Sequence, residues 1–292
     1  MTNRTCLVVY NWWGKKNEPL PHLLTKNQLA QKGMKPIKPV GVIPTRKYDL
    51  YLYDPNNPDS AVAKTKPTIA QIAALAKGRD KQRREREYNW WYKNVGRFIE
   101  DKNDAIEWAK KVLATSDWVI LDTETTGLYN AEAVQIGVIN HEGQTVLNSL
   151  LKPTITIPND TIAIHGITNE AVTDAPSFPE IYPQIVKALA DKKVLIYNAD
   201  FDICVLEYCC KLHNLPLLEL SKRSYCVMLW YAQFNGEWSE YFDGYKWQPL
   251  LDGGHNAIED CLATLALIQN MAASEVTNLK DVFKSTRIAA TY

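Results

Sequence analysis

Asp122 and Glu124 stand two apart in the segment LDTETTG, directly after the apolar run Trp118–Leu121. In an extended strand, residues two apart point to the same side, so both carboxylates face one way with Thr123 between them. Like charges that close raise each other's pKa unless a cation lies between them, and such a pair at a strand end suggests a hard-metal site. Most DxE pairs are surface charges, so this one gains meaning only from acids further along the chain. Asp202 closes the segment YNADFD (197–202), where the apolar run Val194–Ile196 passes through a turn into a helix. It is either an acid of the same site or simply an acid favoured by the dipole at a helix start. His255 and Asp260 lie five apart in HNAIED (255–260), around a helix start just after Gly253–Gly254. A lone histidine there is usually a surface or capping residue.

The order of the three segments carries more than any one of them. A DxE pair, then an aspartate at a strand–helix junction, then HxxxxD on the last long helix resembles the DEDDh branch of the 3′–5′ exonucleases. That branch includes the proofreading epsilon subunit of bacterial DNA polymerase III, ribonuclease T, oligoribonuclease and the mammalian three-prime repair exonucleases. The likeness runs from about Trp118 to Met271 and takes in a fourth segment, His165–Gly166–Ile167–Thr168. In the sister DEDDy branch a tyrosine stands four residues before the last aspartate; Asn256 occupies that position here, which favours the histidine branch.

The resemblance implies an α/β, ribonuclease H-like fold, a mixed β-sheet flanked by helices. It implies two Mg²⁺ ions, replaceable by Mn²⁺. Asp122, Glu124 and Asp260 would ligate one of them, Asp122 would also reach the second, and Asp202 would act through water. His255 would be the general base, a task suited to an imidazole with an ordinary pKa near ~6.5. Thr125, Leu128, His165, Asn198 and Phe201 would lie on the terminal nucleotide. Tyr197 departs from the pattern, since several relatives carry histidine there. The activity implied is removal of nucleotides from the 3′ end of DNA, single-stranded DNA first. The alternatives are an exoribonuclease, because the catalytic residues do not tell ribose from deoxyribose, and a proofreading or docking subunit of a replication or repair complex. A non-catalytic binding module is expected to lose at least one of the five polar groups, and all five are present. The family often forms homodimers.

These residues need a scaffold, and the chain is long enough to build one. It has 292 residues, 46% of them hydrophobic, sufficient for one large or two modest domains with a sizeable core. The spacing predicts strands at Trp118–Leu121 and Val194–Tyr197, and a hairpin of Ala133–Ile139 with Thr145–Leu151 around His141–Glu142–Gly143. Helices are predicted at Asp104–Leu113, Phe178–Ala190, Ile203–Leu212 and from about Ala257 to Met271. Hairpin strands followed by alternating helix and strand imply a layered α/β domain over 118–273, with 96–117 as a connecting helix and 274–292 as a C-terminal tail.

Residues 1–95 match no family pattern. Their expected elements are strands at Leu7–Tyr10 and Tyr48–Tyr53, a helix from Thr25 to Gly33, and one long or broken helix opened by Thr68 as N-cap. That last helix sets Ile69, Ile72, Leu75 and Ala76 on one face, then runs through KGRDKQRRERE into Tyr88, Trp90, Trp91 and Tyr92. Before Trp118 the chain holds 22 Lys+Arg against 12 Asp+Glu, and after it 11 against 21, so the halves carry +10 and −10. A basic part that attracts a polyanion and an acidic part that holds cations would produce this split; so would two oppositely charged solvated surfaces. The aromatics of Tyr231–Trp247, with Trp230 and Trp238, either stack on unpaired bases or fill the core.

Six cysteines without CxxC spacing (Cys6, Cys204, Cys209, Cys210, Cys226, Cys261) read as buried thiols in a reducing compartment. No apolar run approaches the roughly 18 residues that cross a bilayer, and no signal-peptide layout opens the chain. A cytoplasmic protein without membrane partners is expected.

Overall fold

The computed structural model describes residues 7–289; Cys6 and the last three residues of the tail lie outside them. The chain divides into two compact units, Met1–Arg84 and Glu85–Tyr292. The boundary falls within one continuous helix, short of residue 95.

The first unit is built from short strands. β1 (Val8–Val9), β2 (Leu24–Thr25), β4 (Gly41–Pro44) and β5 (Asp49–Tyr53) form a sheet in the order β1-β4-β5-β2, and β3 (Met34–Pro36) pairs antiparallel with β6 (Ala61–Ala63). Its small core gathers Leu23, Ile43 and Leu52 on one side and Leu24, Leu29 and Ala61 on the other. Thr25 caps α1 (Lys26–Gln31) through a capping box with Gln28, as the Thr-x-x-Gln spacing requires. Thr68 and Gln71 do the same for α2 (Ile69–Trp91). The apolar side chains Ile69, Ile72 and Leu75 of α2 are exposed rather than packed into a core.

In the second unit, α2 passes through one π-helical turn, Tyr92–Gly96, into α3 (Arg97–Leu113). The framework of this unit is a five-stranded mixed sheet. β7 (Trp118–Thr125) sits at its centre between parallel β10 (Lys193–Ile196) and antiparallel β8 (Ala133–Asn140), with β11 (Ser224–Cys226) and β9 (Thr145–Leu150) at the edges. The side-chain period of two sorts residues to the two faces. Val119, Leu121, Ile136, Val138, Val194 and Ile196 pack against α5 (Phe178–Leu189) and α6 (Ala199–Leu212). Trp118, Ile120, Ile139 and Leu195 pack against α3, α7 (Val227–Asn235) and α8 (Ala257–Ala273). This is the mixed sheet flanked by helices that the motif order implied.

α3 is a core element rather than a bare link, with Ala105, Ile106 and Ala109 fully buried. The tail residues also pack: Asn103 exchanges two hydrogen bonds with the backbone of Thr277, and Phe283, on α9 (Leu279–Ala289), meets the rings of Tyr88 and Trp91. α4 (Asn159–His165) carries the start of the HGIT segment. Of the Trp-rich stretch, Trp230 stacks on Trp108, and Trp238, on the small hairpin β12 (Trp238–Ser239) and β13 (Gly244–Tyr245), packs on Phe98 and the Arg97 guanidinium. Trp247 remains 70% exposed. The expectation of uniformly buried thiols needs correction: Cys209, Cys210 and Cys261 are buried, but Cys204 faces solvent and Cys226 is half-buried. Cys204 lies on the outer side of α6, where only part of the helix meets the sheet. No helix among the described residues is long and apolar enough to cross a membrane.

Candidate active site

On β7, Trp118 and Ile120 face α8, and the same alternation carries Asp122 and Glu124 to that side. α8 lies there and presents Asp260 from its first turn. One carboxylate oxygen from each of Asp122, Glu124 and Asp260 lies within 4.8 Å of the other two. Thr123 points the opposite way, toward α6, where its backbone N–H and its hydroxyl both donate to Asp202 Oδ1 at 2.9 and 2.7 Å. Asp202 sits in the first turn of α6, is almost fully buried, and is close enough to Asp122 to shift its titration.

The electrostatics describe a site short of positive charge. Burial first, then the charges of Asp202, Asp260 and Glu124, push the Asp122 carboxyl well above the ordinary range. Burial, then Asp260 and Asp202, raise Glu124 to about 7. Burial raises Asp202 to about 7 against the lowering effect of the two Thr123 bonds. Asp260 is raised by burial and partly relieved by the Gly254 N–H, which donates to its Oδ1 at 2.9 Å, and by His255. Among the described residues, no lysine or arginine is one of the main groups that shift these four acids. Acids that repel one another in a half-buried cluster of hard oxygen donors fit a divalent cation of the magnesium class.

His255 immediately precedes Asn256, whose side chain caps α8 by accepting from Ile258 and Glu259. It is exposed, adopts φ of +53°, and lies close enough to act on both Asp260 and His165. His165 ends α4 and points at the end of β7. Its Nδ1 accepts from the Ile167 N–H at 3.0 Å, so Nε2 carries the proton and donates to the Thr125 carbonyl at 3.2 Å. Burial lowers its pKa, the bond to the Thr125 carbonyl opposes that, and the nearby His255 adds to the lowering. Thr125 turns its hydroxyl onto the Gly127 carbonyl, Leu128 is 76% exposed beside Tyr129, and Asn198 sits half-buried at the start of α6. Phe201 is half-buried and packs partly against the core. The structure thus brings Asp122, Glu124, Asp202, Asp260, His255 and His165 together, whereas Phe201 packs against the core.

Sequence reasoning missed the residues that seat α8. Gln135 accepts from the Ala257 N–H through Oε1 and donates to Asn148 through Nε2. Gly137 lies so close to α8 that a Cβ there would stand 2.7 Å from the Ala257 carbonyl carbon. A glycine inside the apolar run AVQIGVIN was the available signal, since such a glycine marks close backbone approach.

The exonuclease model of the ribonuclease T family matches residues 119–268, half of the chain. A relative from Escherichia phage 186, the uncharacterized exonuclease CP81, is 39% identical over 180 residues, 56% of this chain and 92% of that protein. This chain belongs to the exonuclease family. The exonuclease is also 32% identical over 110 residues to the epsilon subunit of DNA polymerase III from Pasteurella multocida, but spans only 44% of that subunit's length. Among solved structures, it is similar to the nuclease domain of 3′hExo, a DEDDh family member bound to rAMP, with 17% identity, a TM-score of 0.43, and coverage of 56% of this chain and 98% of that one.

Proposed function

We propose that this exonuclease removes nucleotides from the 3′ end of DNA, single-stranded DNA above all, with magnesium ions as cofactors and manganese as a substitute. The observation that carries the reading is the convergence of Asp122, Glu124 and Asp260 within 4.8 Å, with Asp202 and His255 beside them. Carboxylate oxygens alone make up the donor set, which suits magnesium in a site that keeps bound waters. Asp122, Glu124 and Asp260 would hold an ion directly, and Asp202 would take part through water. Bound divalent ions supply Lewis-acid stabilisation of the charge that gathers on the oxygens of a phosphodiester. His255, exposed at the rim beside Asp260, accepts the proton that the attacking water gives up. Thr125, Leu128, His165, Asn198 and the accessible part of Phe201 hold the terminal nucleotide. The 3′ polarity rests on the DEDDh pattern of the five polar residues, and DNA is favoured because the matched epsilon subunit belongs to a DNA polymerase. The free thiols at Cys209, Cys210 and Cys261 support a reducing compartment such as the cytoplasm.

Purified protein with magnesium or manganese is expected to shorten 3′-labelled single-stranded DNA, release mononucleotides, and stop in chelator. Cutting of circular single-stranded DNA at a comparable rate would overturn the exonuclease reading. RNA digested faster than DNA would move the substrate to ribonucleic acid.

A further inference from the structure

Between β13 and α8 the chain runs from Lys246 to Asn256 without helix or strand, and His255 is carried near its end. Gly253–Gly254 make the segment pliable, and Asp252 and His255 both adopt left-handed conformations, φ +60° and +53°, that non-glycine residues take up reluctantly. Such a segment does not set its own position. Among the described residues, two hydrogen bonds tie the stretch from Gln248 to Gly254 to the sheet and helices. One is the Gly254 N–H to Asp260 at 2.9 Å; the other is the Tyr197 hydroxyl, which donates to the Gln248 carbonyl at 2.6 Å.

Tyr197 is well placed to act as a fixed post. It follows β10 directly, and its backbone carbonyl accepts from the Met228 N–H at 2.9 Å and from the Cys226 thiol at 3.4 Å. Its ring packs within the core formed by α3, α7 and α8. Burial raises the phenol pKa, so the hydroxyl keeps its proton and stays a donor. The same residue precedes Asn198 and α6, which carries Asp202. The Tyr197 hydroxyl therefore links the strand end that leads to Asp202 with the segment that leads to His255.

We infer that Tyr197 is a positioning residue for His255, fixing the far end of its segment through the Gln248 carbonyl. The inference rests on His255 being the general base. Removing the hydroxyl leaves the ring and the core intact but releases the far end of the segment, whose near end Asp260 still holds through the Gly254 and His255 backbone, so His255 spends less time beside the acids. The substrate-holding residues Thr125 and His165 lie on other elements and keep their places.

The test uses the full chain with Tyr197→Phe, His255→Ala and the double variant, after thermal melting has shown all three folded. In Tyr197→Phe, amide hydrogen exchange in a peptide covering 248–256 is expected to speed up, while peptides of β7 and α6 keep their protection. With single-stranded DNA and magnesium, kcat should fall about 3–10-fold, the population effect of one lost hydrogen bond, with KM little changed. In the His255→Ala background the same substitution should leave kcat unchanged. Unaltered exchange in 248–256, or an equal loss of kcat with His255 absent, overturns the inference. Full activity in His255→Ala overturns the catalytic reading and the inference with it, and accelerated exchange in Tyr197→Phe would then show that the tie exists although the base does not.

Discussion

Asp202 shows how one acid can be held in place and still be costly. Two hydrogen bonds from Thr123 fix its carboxylate, yet burial leaves its pKa at about 7, beside Glu124 at about 7 and Asp122 higher than the ordinary range. Groups whose pKa is raised on folding bind more protons folded than unfolded between about pH 4 and 7. Their stabilising effect is fully present below the unfolded pKa and is lost as pH rises through the folded one. In chelator, the melting temperature is therefore expected to fall as pH rises from about 5.5 to 8. Asp202→Asn should flatten that fall, leave the metal-free protein no less stable at about pH 8, and abolish turnover. A melting temperature that rises over this range, or falls as steeply in the variant, contradicts the assignment. Magnesium should oppose the fall, because it binds the ionised acids of the folded chain only.

At the scale of elements, the decisive contact is α8 against β8. Gly137 admits the Ala257 backbone, Gln135 receives its N–H, and Asp260 reaches Asp122 from the first turn of the helix. A Cβ at residue 137 meets backbone, which cannot swing aside as a side chain can. Gly137→Ala is expected to destabilise the fold by about 1–3 kcal/mol and to lower activity beyond that effect, since the displaced helix carries Asp260. Chemical denaturation with parallel assays at a temperature where both proteins are folded checks this; a variant of unchanged stability and rate would show that α8 can move freely.

These elements also show what the sequence made legible. The strand alternation at 118–125, the hairpin of β8 and β9, and the helices bearing Asp202 and Asp260 could be read because periodicity and motif order are local signals. The partners of Gln135, Gly137 and Tyr197 could not, because each meets a residue far along the chain, and nothing local encodes that meeting. The apolar positions of α2 share one face, and Ile69, Ile72 and Leu75 on it are exposed: periodicity shows which residues share a face and not what covers it.

For the whole molecule, the charge split follows the division into units. Residues 1–84 hold 16 Lys+Arg against 5 Asp+Glu, and the remainder carries the opposite excess. A basic unit joined to an acidic catalytic one should help retain a polyanionic substrate, a contribution that salt screens. KM for a long single-stranded oligonucleotide is expected to rise steeply between about 50 and 200 mM salt, while KM for a small nucleotide ester that spans only the acid cluster changes little. Equal salt dependence for both would assign the basic unit another task. The cluster itself draws its acids from both ends of the catalytic unit, with Asp122 on its central strand and Asp260 on a helix reached only after every other strand of that sheet. During translation, a chain that has not yet emerged past Ala257 has two of the three converging carboxylates and no closed site. The cluster is thus a late-forming feature of the chain, complete only once α8 has docked on β7 and β8.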